Sequence, residues 1–155
     1  MRAAWTLIVL AVLSVAAVLI TVNPTSTVAG TPQADQSTAQ DKQLVINYFS
    51  ELNNAGKDGP ATQRDFLRRT QHPDFTDRFC DLGELTLKIE PAMSTFRFDL
   101  GWTPEGTRHP RGTIYVLGVA ISIRRGGALV AEQIGSQRVV VLDGKAYGFT
   151  PCPTE

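Results

Sequence analysis

Residues 111–149 constrain this chain more than any other stretch. In the first part, Thr113, Tyr115, Leu117, Val119, Ile121 and Ile123 alternate with Ile114, Val116, Gly118, Ala120, Ser122 and Arg124. A strand turns successive residues to opposite faces, so one face is bulky and apolar while the other becomes small and polar toward its end. Gly126-Gly127 supply the positive φ angles of a tight hairpin, and Asp143-Gly144 repeat that signal before a short return strand over 146–149. Between the two turns the apolar residues keep no single parity: Val130, Ile134, Val140 and Leu142 are even, Leu129, Val139 and Val141 odd. A bulge at Gly135 is the expected remedy. The stretch is an antiparallel meander and the one large source of core.

Such a sheet needs a cover, and the preceding residues provide it. Ser37-Thr38-Ala39-Gln40 reads as a capping box. It opens a helix with Leu44, Val45, Tyr48, Phe49 and Leu52 on one face and Gly56 expected as its left-handed C′ residue. Thr62-Gln63-Arg64-Asp65 caps a second, short helix with Phe66 and Leu67 inward, and His72-Pro73 ends it. Phe75 and Phe79, four apart, indicate another helical turn. Leu85, Leu87 and Ile89 alternate with polar residues as a half-buried strand. Pro91 interrupts it, and Phe96, Phe98 and Leu100 resume with the opposite parity, either as a bent or bulged continuation or as a separate strand. The expected fold is α+β, with helices packed on a curved antiparallel sheet of four to five strands.

Residues 3–22 carry no charge and follow Met1-Arg2. The run is long enough for a membrane anchor helix, longer than an ordinary signal-peptide core; a signal peptide is the alternative, since Thr27-Val28-Ala29 offers small residues for cleavage before Gly30. Either way Arg2 stays inside and the domain lies outside the cytoplasm, bound to the cell membrane or secreted. Residues 23–37 are rich in Thr, Ser, Pro, Gly and Gln and read as a flexible linker to a domain over 38–155. Fifteen Lys and Arg balance fifteen Asp and Glu, which gives no basic excess for nucleic acid.

The helix with Tyr48-Phe49 and Leu52-Asn53, the Gly-Lys-Asp loop, the short helix, and His72-Pro73-Asp74-Phe75 before a bent-strand meander resemble the NTF2-like (cone-shaped α+β) superfamily. The closest pattern is its small exported bacterial members with an N-terminal membrane segment. The resemblance implies a conical sheet with an internal pocket. It implies no single activity, because the superfamily holds dehydratases, isomerases and cyclases as well as non-catalytic binding and dimerisation domains. No catalytic motif of the superfamily matches residue for residue.

Two cysteines in an exported domain, Cys80 and Cys152, suggest one disulfide. The two histidines and two cysteines have no ligand spacing for a metal, and no cofactor motif is present. His72 and Asp74 form the one conceivable acid–base pair, with Asp99 as a further carboxylate. The simpler reading puts His72 on an exposed connection, gives Asp74 a helix-capping role, and turns Asp99 to solvent opposite Phe96, Phe98 and Leu100. Tyr48, Phe98, Tyr115 and Tyr147 are candidate pocket-lining residues, and Arg124-Arg125 reads as a solvated pair at a hairpin end. Three functions remain open. One is a non-catalytic accessory or interaction domain, meeting another envelope protein or a second copy through the sheet. The others are a small isomerase or dehydratase and a carrier of an apolar molecule.

Overall fold

The structure, a computed structural model, describes residues 33–104 and 107–149. Helix α1 spans Gln33–Lys57 and α2 Pro60–Thr70, followed by a 3₁₀ segment over Pro73–Arg78. Strands β1 (Leu85–Phe98), β2 (Thr113–Arg125), β3 (Ala128–Leu142) and β4 (Lys145–Gly148) then form one antiparallel sheet in that order. The chain is therefore α+β, as its pattern demands. Among the described residues no helix is long and apolar enough to cross a membrane. The apolar run 3–22 and Cys152 lie outside the described residues, and no described cysteine is a free thiol.

The odd residues of β2 and β3, among them Tyr115, Leu117, Val119, Ile121, Val139 and Val141, meet Val45, Tyr48, Phe49, Leu52 and Ala55 of α1 and Phe66 and Leu67 of α2 in one core. Gly126 and Gly127 take φ 54° and 83°, and Asp143 and Gly144 take φ 51° and 72°, so both expected hairpins close through left-handed residues.

Several details differ from the sequence reading. The capping box at Ser37 lies inside α1, which begins at Gln33. Gly56 is helical and is not the C′ residue. It is a close-approach glycine, because a Cβ there would stand 2.6 Å from Gln63 Nε2 and 3.0 Å from the Leu87 carbonyl oxygen. The positive φ falls on Gly59 (118°), the N-cap of α2, with Pro60 next to it. The bulge in β3 is not at Gly135. The register moves from Ile123↔Ala131 to Arg124↔Leu129, which leaves Val130 as the extra residue, while Gly135 pairs regularly with Val119. In β1 the register shifts between Ala92 and Arg97, so the parity change after Pro91 is an irregularity within a single strand.

The two edges of the sheet are treated differently. On the β1 edge, Gln63 Nε2 donates to the Leu87 carbonyl (2.7 Å) and Gln63 Oε1 accepts from Leu87 N (2.7 Å). Two residues on, Asn53 Nδ2 donates to the Ile89 carbonyl (2.8 Å) and Asn53 Oδ1 accepts from Ile89 N (2.8 Å). Two side-chain amides thus stand where a neighbouring strand would. On the opposite side, β4 pairs with β3 only from Val139 to Leu142. The first nine residues of β3 are all exposed.

Candidate functional site

His72 is not on an exposed connection; its relative exposure is 0 %. It is the N-cap of the 3₁₀ segment, and its Nδ1 accepts from Asp74 N (3.2 Å). Its Nε2 lies 2.9 Å from the Arg111 carbonyl oxygen. A carbonyl only accepts and a peptide N–H only donates, so Nε2 carries the hydrogen and Nδ1 has none. The ring stacks on Phe149 at 5.5 Å with an interplanar angle of 8°, and Phe75 and Tyr147 meet its edges. The sequence offered no signal for this burial, because Arg111 and Phe149 arrive from distant parts of the chain.

Capping is therefore the histidine's role, and Asp74 does something else. Its carboxylate accepts from Arg111 Nη2 (2.7 Å) and Nε (3.1 Å), with Arg108 at 3.8 Å. These contacts bind the loop before β2 to the 3₁₀ segment. The side-chain hydrogen bond from Arg111 is the main reason the Asp74 carboxyl is lowered to about 2. Its folded pKa lies below the unfolded value of about 3.9. Its stabilisation is thus complete above that value and is lost as pH falls through about 2. Asp74→Asn should therefore melt below the wild type near neutral pH, and the gap should close progressively between about pH 4 and pH 2. A gap that persists unchanged at the acid end would remove the Arg111 ion pair as its cause.

Asp99 is half-buried, and Phe98 and Leu100 beside it are 51 % and 61 % exposed, the reverse of the expected facing. Its carboxylate accepts from Arg138 Nε at 2.9 Å. The Arg138 guanidinium in turn lies 5.0 Å from the centroid of Trp102, which meets Phe149 edge-on at 4.8 Å. His109 Nε2 is 2.7 Å from the Leu100 carbonyl oxygen, on the exposed side of this loop.

Of the four candidate pocket residues, Tyr48 and Tyr115 are core residues, 6 % and 1 % exposed. Burial raises the Tyr48 hydroxyl to about 12, against a smaller opposing effect of its hydrogen bond with Thr70. Burial also raises Tyr115, and the Asp41 carboxylate, which accepts its hydroxyl at 2.7 Å, raises it further. Phe98 lies against the Tyr115 ring at 5.0 Å, and Tyr147 is half-buried beside His72.

A cleft of about 820 Å³ opens elsewhere, and none of those four residues lines it. It lies between the end of α1, the start of α2, the start of β1 and the β2–β3 turn. Lys57, Lys88, Arg124 and Arg125 line it, against one carboxylate, Glu84. The sequence shows Arg124-Arg125 only as a local pair; the fold brings the two lysines to them. No family model matches the chain, and no curated protein and no solved structure matches it either.

Proposed function

We propose that this chain is a non-catalytic extracytoplasmic accessory or interaction domain, held to the membrane through residues 3–22, that acts by strand pairing along the free edge of β3. We read its fold as an NTF2-like cone, a reading supported by the order of three helical segments and then a four-stranded meander. The observation that carries the functional proposal is the run of nine exposed residues in an edge strand. It includes Leu129 and Val130, about half exposed, and Ile134, 91 % exposed. Unpaired peptide groups beside exposed apolar side chains are a template for another strand. The engagement of His72 by two backbone groups, of Asp74 by Arg111 and of Asp99 by Arg138 supports the non-catalytic side of the reading.

The orientation of the free groups follows from the register. Gly118 N donates to Thr95 Oγ1 on the β1 side, and the Ile114 carbonyl accepts from Asp99 N. Even-numbered residues of β2 therefore direct their peptide groups toward β1, and odd-numbered ones toward β3. Ile121 stands opposite Gln133 and Ala120 opposite Ile134. In β3, then, Glu132, Ile134 and Ser136 direct their N–H and C=O groups outward. The partner we propose is a second copy. A two-fold axis at Gln133 sets the outward residues Glu132 and Ile134 opposite each other, and likewise Val130 and Ser136. No like charges face each other in that register.

Ile134→Pro tests the proposal, because it removes an outward N–H and leaves the β2–β3 ladder intact. In nonionic micelles the full wild-type chain should sediment as a dimer. The proline variant should sediment as a monomer with a melting temperature close to wild type. A monomeric wild type, or a proline variant that still pairs, would overturn the proposal.

A further inference from the structure

The cleft at the β2–β3 turn carries a second proposal, one independent of β3 pairing. Its lining gathers four cations although the whole chain has a formal net charge of zero. Lys88 is neutralised locally by Glu90, with Nζ and Oε1 2.7 Å apart. Arg124 Nη1 donates to the Gly127 carbonyl (3.0 Å), which fixes the guanidinium at the turn. Lys57 Nζ donates to Asn54 Oδ1 (3.1 Å), a neutral partner that leaves its charge uncompensated. Arg125 meets no acidic partner among the described residues. Three cationic groups outside any ion pair among the described residues thus edge one concavity, whose remaining walls are Asn53, Pro60, Thr86, Leu87 and glycine backbone, with Glu84 as its single carboxylate.

We infer that this cleft binds a phosphomonoester attached to a small organic body. A single carboxylate supplies one charge, whereas a phosphomonoester carries close to two at neutral pH and offers three acceptor oxygens to several cations. Guanidinium groups match those oxygens in pairs. The space exceeds a bare phosphate and lies within the range of small-ligand sites. The same group occurs on a free metabolite and on a lipid headgroup, and both sources present the same chemistry to Arg125 and Lys57.

Backbone amide spectra of the full chain in nonionic micelles provide the test, with glycerol 3-phosphate as probe and glycerol as the uncharged control. The probe should shift the amides of Gly59, Gly126 and Gly127 saturably, and glycerol should not. Arg125→Glu should weaken binding at least about tenfold, consistent with loss of a charge-assisted contact. Arg68→Glu, on the exposed face of α2 outside the cleft, should leave it unchanged. Absence of saturation, an undiminished response in Arg125→Glu, or equal weakening by both substitutions would overturn the inference. Tighter binding of dihexanoyl phosphatidic acid than of glycerol 3-phosphate assigns the group to a lipid headgroup, and the reverse assigns it to a soluble compound. Either result upholds the phosphate site. Arg125 is exposed at the end of β2, so the melting curve of Arg125→Glu should overlay the wild type and separate lost binding from lost fold.

Discussion

Replacing His72 by Ala should lower the melting temperature by roughly 10 °C, corresponding to about 3 kcal/mol for a domain of this size. The residue is fully buried, and the substitution has two costs. It empties the space between Phe75, Tyr147 and Phe149, and it strips partners from Asp74 N and the Arg111 carbonyl. His72→Phe should recover part of the loss, because an aromatic ring can still stack on Phe149 while neither hydrogen bond returns. Asp74→Ala should cost less than His72→Ala, because the groups that lose a partner, the Arg111 and Arg108 side chains and Arg111 N, are exposed to water. Thermal unfolding of the three variants side by side checks the ranking. If His72→Ala melts like the wild type, the ring is not a structural keystone, and its role as a chemical group is open again.

Gln63→Leu is expected to be about as damaging, roughly 3 kcal/mol, and to have a second consequence. Gln63 is 1 % exposed, and its amide serves three backbone groups: both peptide groups of Leu87 and the Leu52 carbonyl at 3.0 Å. Leucine fills the volume yet leaves the Leu87 N–H and C=O buried without partners. When α2 loosens on heating, the edge at Leu87 is exposed without its amide, so the variant should aggregate on heating where the wild type does not. Light scattering recorded along the melt distinguishes this from a simple loss of stability. A variant that melts early but stays clear would mean that the amide stabilises the edge without guarding it.

These two residues also mark the limit of what the sequence discloses. The meander was legible because its signals are local: alternation over 115–123 and the turn pairs Gly126-Gly127 and Asp143-Gly144 depend on neighbours in the chain. The α1 face from Val45 to Leu52 was legible for the same reason. Gln63 and Asn53 carry no such signal. A polar residue on a helix reads as solvent-facing unless the strand it serves is known, and Leu87 and Ile89 are 24 and 36 residues away. His72 shows the same limitation. Preceding a proline it reads as a connection, and only the return of Phe149 and Arg111 buries it. Gly56 was assigned to a helix end because glycine commonly sits there. Its actual reason is the close passage of Gln63, a tertiary fact. The cleft was hidden likewise, since Lys57, Lys88 and Arg125 share no segment of chain.

The unequal treatment of the sheet's two margins bears on how far the proposed pairing could extend. A sheet open on both sides can recruit copies without end, which is the geometry of a fibre. Here the side amides of Asn53 and Gln63 occupy the β1 margin at Ile89 and Leu87, so in the proposed pairing it is the β3 margin that takes a strand. Under that proposal, two copies joined there would present β1 on both outer margins, each blunted at Leu87 and Ile89, which disfavours further addition. On the proposed reading, a self-association that stops after one step would suit a domain tethered to a membrane, where unlimited lateral addition would be hazardous.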